Sequence, residues 1–422
     1  MTIRFRPLIL AVTAAAAFAS PVTYADNVRV AFIDPLSGPF APVGQGILKH
    51  WQFAAELANK EKWAGNHTFE FVGFDNKGSP QESLTQLKSA IDQGYRYIAQ
   101  GNGSGAAAAL LDAINKHNER NPGKEVVFLN YAAVDPDLTN SKCSYWHFRL
   151  DANSDQKMEG LTNYMAKDQK IKKVYIIGQN YAHGHQVTRA AKEMLKRKRP
   201  DIEIVGDDLH PIATTKDFSP YVAKIKQAGA DAVITGNWGT DLALLIKAAK
   251  DADLQADFYT YYASTTGVPT AMGAAGAEKV KAIGYWNVNS AKFVPKEEYE
   301  LGTKLADQFK AKYNEDFYVI ATYNGVRMLS NAFKQTNSTD PVKAAAVMEG
   351  MKFKGLNGEV EMRKADHQLQ QALFITTWTK AGTEDVKYDM EKTGYGFRTD
   401  VRLDPYVAAQ PTSCQMKRPS KQ

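Results

Sequence analysis

Cysteine is scarce: Cys143 and Cys414 are the only two in 422 residues, and no Cys-x-x-Cys spacing exists. This excludes a thioredoxin-type redox motif and a cysteine-built zinc site. Charge of one sign is also scarce. The 52 Lys and Arg exceed the 46 Asp and Glu by +6, too small a surplus over this length to point to nucleic acid. Beyond the first 25 residues no apolar run is long enough to span a bilayer. The 30 Gly and 17 Pro follow no period, which excludes a collagen-like chain. A charged fraction of 23% with 11% aromatics disfavours disorder.

Motifs for catalysis and cofactors are missing as well. Gly101-Asn102-Gly103-Ser104-Gly105 reads G-x-G-x-G, not the G-x-G-x-x-G of a dinucleotide site, and it follows a third expected strand. Ser104 is flanked by Asn102 and Ala106 where a hydrolase elbow needs glycines. His183 and His185, and the group Asp207, Asp208 and His210, match no zinc or calcium spacing. With no nucleophile and base in view, no enzyme and no cofactor are expected.

What is present begins with an export signal. Arg4 and Arg6 precede an apolar stretch from Leu8 to Phe18, and Thr23-Tyr24-Ala25 supplies a small-residue cleavage site. Residues 1–25 are read as a signal peptide, and the periplasm as the destination. In that oxidising compartment Cys143 and Cys414 are a candidate disulfide. Closing so long a loop would stabilise the fold by about 5 kcal/mol in the chain-entropy account.

Short β-branched or aromatic runs then alternate with helical patterns. Expected strands at 28–33, 69–74, 97–100 and 126–130 are separated by expected helices at 44–62, 80–93 and 106–120. The rhythm restarts with strands at 174–177, 202–207, 232–235 and 258–262. Two such series imply an α/β protein of two doubly wound lobes. Lobe 1 is assigned 26–148 plus 286–352, lobe 2 149–285 plus 353–380. Residues 381–422 form a C-terminal extension without regular structure, held to the body through Cys414.

In open α/β sheets ligands bind beyond the carboxyl ends of parallel strands. The loop from Asp34 to Phe40 and the glycine run before Ala106 lie there, and the Ser104 hydroxyl at a helix start suits a carboxylate or phosphate. Tyr131, Tyr181, Trp238 and Tyr259-Thr260-Tyr261-Tyr262 also fall at or just beyond strand ends, as the aromatic walls of a pocket would.

These residues carry a resemblance. Leu36-Ser37-Gly38-Pro39, Asp75, Gly103-Ser104-Gly105, the run Ala132 to Leu138, Asn180-Tyr181-Ala182-His183-Gly184, and Lys216-Asp217-Phe218-Ser219 with Ile225-Lys226 and Gly229-Ala230-Asp231 are similar in order and spacing to the type I periplasmic solute-binding proteins of ABC importers. The branch is the leucine/isoleucine/valine-binding family, and the likeness spans 28–378. It implies two lobes joined by a three-crossover hinge and closing on a ligand. A membrane permease is the implied partner and a monomer the implied form. A sensor domain of the same fold would be followed by a membrane segment, which the sequence to Gln422 does not contain.

Carried over residue by residue, the resemblance places Ser104 and the backbone of Ala132 and Val134 on the ligand from lobe 1, with Tyr181, Trp238 and Tyr262 facing them. Two positions depart from the family pattern. Val134 replaces a hydroxyl residue, and Tyr262 replaces the acid that commonly pairs with an α-amino group. A buried ammonium without a counter-charge is strongly disfavoured, so the expected ligand is a small carboxylate such as an aromatic or keto acid. Asp135 is the candidate substitute counter-charge, which keeps a branched-chain amino acid as the alternative.

Overall fold

The structure, a computed structural model, describes residues 25–419. Of the expected signal segment only Ala25 falls within them. The first lobe is built from β1 (Asn27–Asp34), α1 (Ala41–Lys60), β2 (Thr68–Asp75), α2 (Pro80–Asp92), β3 (Tyr97–Gln100), α3 (Ser104–Arg120), β4 (Val127–Asn130) and β5 (His147–Arg149). Its five strands pair in parallel in the order β2-β1-β3-β4-β5. β3 and β4 are buried throughout, as strands covered on both faces must be. One face packs on α2 and α3, the other on α1.

The second lobe continues with α4 (Ser154–Met165), β6 (Lys173–Gln179), α5 (Ala182–Lys198), β7 (Glu203–His210), α6 (Ser219–Gln227), β8 (Ala232–Thr235), α7 (Gly239–Asp251), β9 (Asp257–Thr260), α8 (Val268–Met272) and β10 (Val280–Gly284). Helices α9 (Lys296–Tyr313), α10 (Ile320–Thr336) and α11 (Pro341–Met348) then return to the core of lobe 1. They are followed by β11 (Lys352–Gly355), β12 (Gly358–Met362), β13 (Leu369–Gln370), β14 (Leu373–Lys380) and β15 (Tyr395–Leu403). The second sheet runs β15-β14-β10-β9-β8-β6-β7, with β14 antiparallel to both of its neighbours, β10 and β15, and the other pairs parallel.

Two expectations are corrected. Residues 353–362 do not join lobe 2: β11, β12 and β13 form their own small sheet, and Phe353, Val360, Met362 and Leu369 pack into the lobe 1 core. Only β14 of that region extends the second sheet. The extension is not irregular throughout, because β15 pairs along the whole of β14. Its residues alternate, with Arg398, Asp400 and Arg402 set against Phe397 and Thr399, the pattern of an outer strand with one wet side.

The chain crosses between lobes at Leu150–Asn153, after Gly284, and at Gln371–Ala372. A side-chain amide network stitches the three passages together. Asn357 donates to the Tyr285 carbonyl at 3.0 Å and to Gln371 at 2.9 Å, and Gln371 donates to the Leu150 carbonyl at 2.7 Å. Cys143 and Cys414 are disulfide-bonded, with Cα atoms 5.6 Å apart. Thr412 and Ser413 also bond to lobe 1, at the Thr139 carbonyl and Asn140. The tail therefore makes a fourth passage, from β15 back to lobe 1.

Candidate functional site

Strand order locates the cleft. In the first sheet it reverses between β1 and β3, and in the second between β6 and β8, so the loops after these four strands splay apart and leave crevices. Those loops carry Phe40, the Gly101–Gly103 turn, Tyr181 and Trp238. The two crevices face each other across a cleft of about 750 Å³, open mouth included, within the range of small-molecule sites.

Asp34, at the end of β1, shapes the lobe 1 wall without lining it. Its buried carboxylate accepts from the Gly101 and Asn102 amides at 3.2 and 3.0 Å and from the Tyr131 hydroxyl. Burial pushes its pKa up to about 8, against these hydrogen bonds. The turn it holds puts Gly103 at φ +95, a conformation that favours glycine. Helix α3 starts there, with Ser104 2% exposed and lining the cleft. Ser104 Oγ accepts from the Asp135 amide at 3.2 Å, and among the described residues its own proton has no acceptor; it stands at a helix start, where first-turn amides lack intrahelical partners.

Ala132, Val134, Tyr181, Trp238 and Tyr262 also line the cleft. Tyr262 Oη donates to the Ala132 carbonyl at 3.4 Å and Trp238 Nε1 donates to Tyr181 Oη at 3.0 Å. The Val134 carbonyl is occupied by Ser154, which donates through its amide at 2.8 Å. Thr240 Oγ1 donates to the Pro39 carbonyl at 2.7 Å, so the lobes touch at the rim too. Gly239 sits at φ +57, and a Cβ there would lie 3.1 Å from the Phe40 ring; a side chain would be strained and would press on that ring.

Asp135 does not line the cleft. Its carboxylate caps the turn that follows, accepting from the Asp137 amide at 3.1 Å, and its carbonyl accepts from the buried Arg149. Its contacts are thus those of a turn cap, not of a group facing the cleft. Asp151, in the first crossing, is the acid that reaches the cleft. Lys157 Nζ donates to its Oδ2 at 2.8 Å, with the two side chains 2% and 1% exposed. Burial raises the Asp151 carboxyl above its usual range, while Lys157 and the Ala152 amide pull it back. The cleft wall thus contains an acid, already paired with Lys157.

Tyr131 and Tyr261, read from the sequence only as aromatics at strand ends, stand on the walls too, and sequence reasoning missed Tyr285, Trp286 and Tyr318 there. His183 lines the cleft beside Tyr181, with Nε2 3.0 Å from the Gly236 carbonyl and Nδ1 2.9 Å from Ser154 Oγ. Burial pushes its pKa down to about 4, so the ring is neutral and serves as a rigid strut between the β6 and β8 loops and α4.

The family model for periplasmic binding proteins matches residues 27–383. The chain belongs to that family. A Leu/Ile/Val-binding protein homolog 4 of Brucella abortus is 32% identical over 410 residues, covering 94% of each chain. The crystal structure of a leucine-, isoleucine-, valine-, threonine- and alanine-binding protein from Brucella ovis, in a closed conformation, superposes with a TM-score of 0.80 at 29% identity, covering 94% of this chain and all of that one. An R. palustris ABC-transporter solute-binding protein in complex with 4-hydroxybenzoate shares the fold, with a TM-score of 0.74 at 22% identity over 91% of this chain and 98% of that one. This periplasmic binding protein is thus a solute-binding protein of the branched-chain amino acid branch, whose members serve transport.

Proposed function

We propose that the protein captures a small carboxylate with an apolar or aromatic body between its lobes in the periplasm and delivers it to a membrane permease. The observation that carries this reading is Ser104: a buried hydroxyl at the start of α3, with no acceptor for its proton among the described residues, opening into a cleft walled by Tyr181, Trp238 and Tyr262. Structural relatives crystallised with 4-hydroxybenzoate and benzoate support an aromatic acid. Asp151 in the cleft wall and the relatives named for leucine, isoleucine and valine support an amino acid as the second reading.

The test is calorimetric titration of ligand-free protein with aromatic carboxylates, keto acids and amino acids, repeated on Ser104→Ala. Loss of one charge-assisted hydrogen bond should weaken binding roughly tenfold or more. Binding of none of these carboxylates, or unchanged affinity in Ser104→Ala, removes the carboxylate reading.

A further inference from the structure

The Asp151–Lys157 pair has a feature that a purely structural ion pair lacks. Oδ2 of Asp151 is satisfied by Lys157, but Oδ1 is buried and makes no well-formed hydrogen bond among the described residues, the neighbouring Ala152 amide being the one donor that acts on the carboxyl beside Lys157. Both side chains line the cleft. The Lys157 ammonium is boxed in by three rings, 4.5 Å from the centre of Tyr262, 5.7 Å from Tyr285 and 5.9 Å from Tyr261. Asp151 itself is fixed by the hinge, where Gln368 donates to its carbonyl at 2.8 Å. The orphan acceptor is therefore held rigidly in the wall.

A buried acceptor short of a donor destabilises the structure. In a cleft that closes around a ligand, the group able to relieve it is a donor carried by the ligand. A ligand carboxylate cannot be that group, because it would set two anions together.

We propose that Asp151 Oδ1, braced by Lys157, is a specificity site that accepts a hydrogen bond from an N–H or O–H donor on the ligand, separate from the carboxylate. The inference rests on the carboxylate reading above and narrows it to acids that also carry an ammonium or a hydroxyl. A site built to receive a donor discriminates strongly against an analogue that lacks it, since the acceptor is then buried unpaired.

The experiment is calorimetry on two matched pairs: leucine against 4-methyl-2-oxopentanoate, and 4-hydroxybenzoate against benzoate. In at least one pair the donor-bearing member should bind about tenfold tighter or more, and Asp151→Asn should reduce that ratio to about threefold or less. Loss of charge in Asp151→Asn should weaken an ammonium ligand more than a hydroxyl ligand, which separates the two donors. Equal affinities within both pairs, tighter binding of the donor-free members, or an unaltered ratio in a folded Asp151→Asn overturns the proposal while leaving the carboxylate reading intact. Failure of all four compounds to bind overturns both. Should Asp151→Asn not fold, the wild-type ratios still decide, as does a ligand-bound crystal structure: no ligand N or O within about 3.5 Å of Oδ1 refutes the assignment.

Discussion

The ring of Phe40 stacks on Trp238 with centroids 3.9 Å apart and planes inclined by 28°, one residue from each lobe. Trp238 lines the cleft whereas Phe40 does not, so the pair separates contact with the ligand from contact between the lobes. A stacked pair contributes about 0.5–1.5 kcal/mol beyond its area. Phe40→Ala should therefore speed ligand release by roughly 3- to 10-fold with little change in association, as read by stopped-flow fluorescence. Equal release rates would show that this contact does not hold the closed state.

Asp34 should matter to binding without touching the ligand. Asp34→Ala removes the acceptor for the Gly101 and Asn102 amides and for Tyr131, leaving buried donors unpaired at about 1–3 kcal/mol each. The expected outcome is a lower urea midpoint together with at least roughly tenfold weaker binding of whichever carboxylate the wild type takes. Lowered stability with intact affinity would mean that the Ser104 turn keeps its shape unaided.

The pH dependence has a definite sign at His183. Its folded-state pKa is depressed to about 4 from an ordinary value of 6.5, so its contribution is present above pH 6.5 and is lost as pH falls toward 4. That loss is about 3 kcal/mol for a fully buried ring. Asp34 acts in the opposite sense, its pKa being raised, so the readout is a difference. The stability gap between wild type and His183→Gln, measured by urea unfolding, should shrink between pH 7 and pH 4.5. A constant gap would contradict the neutral-strut role.

The disulfide should contribute stability without setting affinity. Cys143→Ser with Cys414→Ser removes a link across 271 residues, and the expected cost is about 2–5 kcal/mol in unfolding free energy. Ligand affinity should change by less than about threefold, because neither cysteine lines the cleft. A large loss of affinity would show that the tail fixes the relative position of the lobes.

Most of the first sheet was legible because its strands are short apolar runs between amphipathic helices. β5 was not: His147-Phe148-Arg149 is three residues long and ends in a buried arginine whose partners are the nearby Asp135 carbonyl and Gln368, 219 residues away. Ser104, Tyr181, Trp238 and Tyr262 could be placed from strand ends alone. Asp151 and Lys157 could not, since a lone acid in a loop and a lysine in a mixed-charge helix look solvated until the crossing buries them together. Asp135 is the converse case. Next to Pro136 it resembles a free acid in a loop, yet its position is that of a turn cap.

The bond between Cys143 and Cys414 gives the molecule an unusual kind of wholeness. The covalent ring it closes contains all of lobe 2 and every passage between the lobes. A protease that cuts the backbone once anywhere inside that ring, for instance at exposed Glu384, leaves both fragments on one covalent skeleton. In an extracytoplasmic compartment a nicked molecule would thus hold together and migrate as one species until reduced.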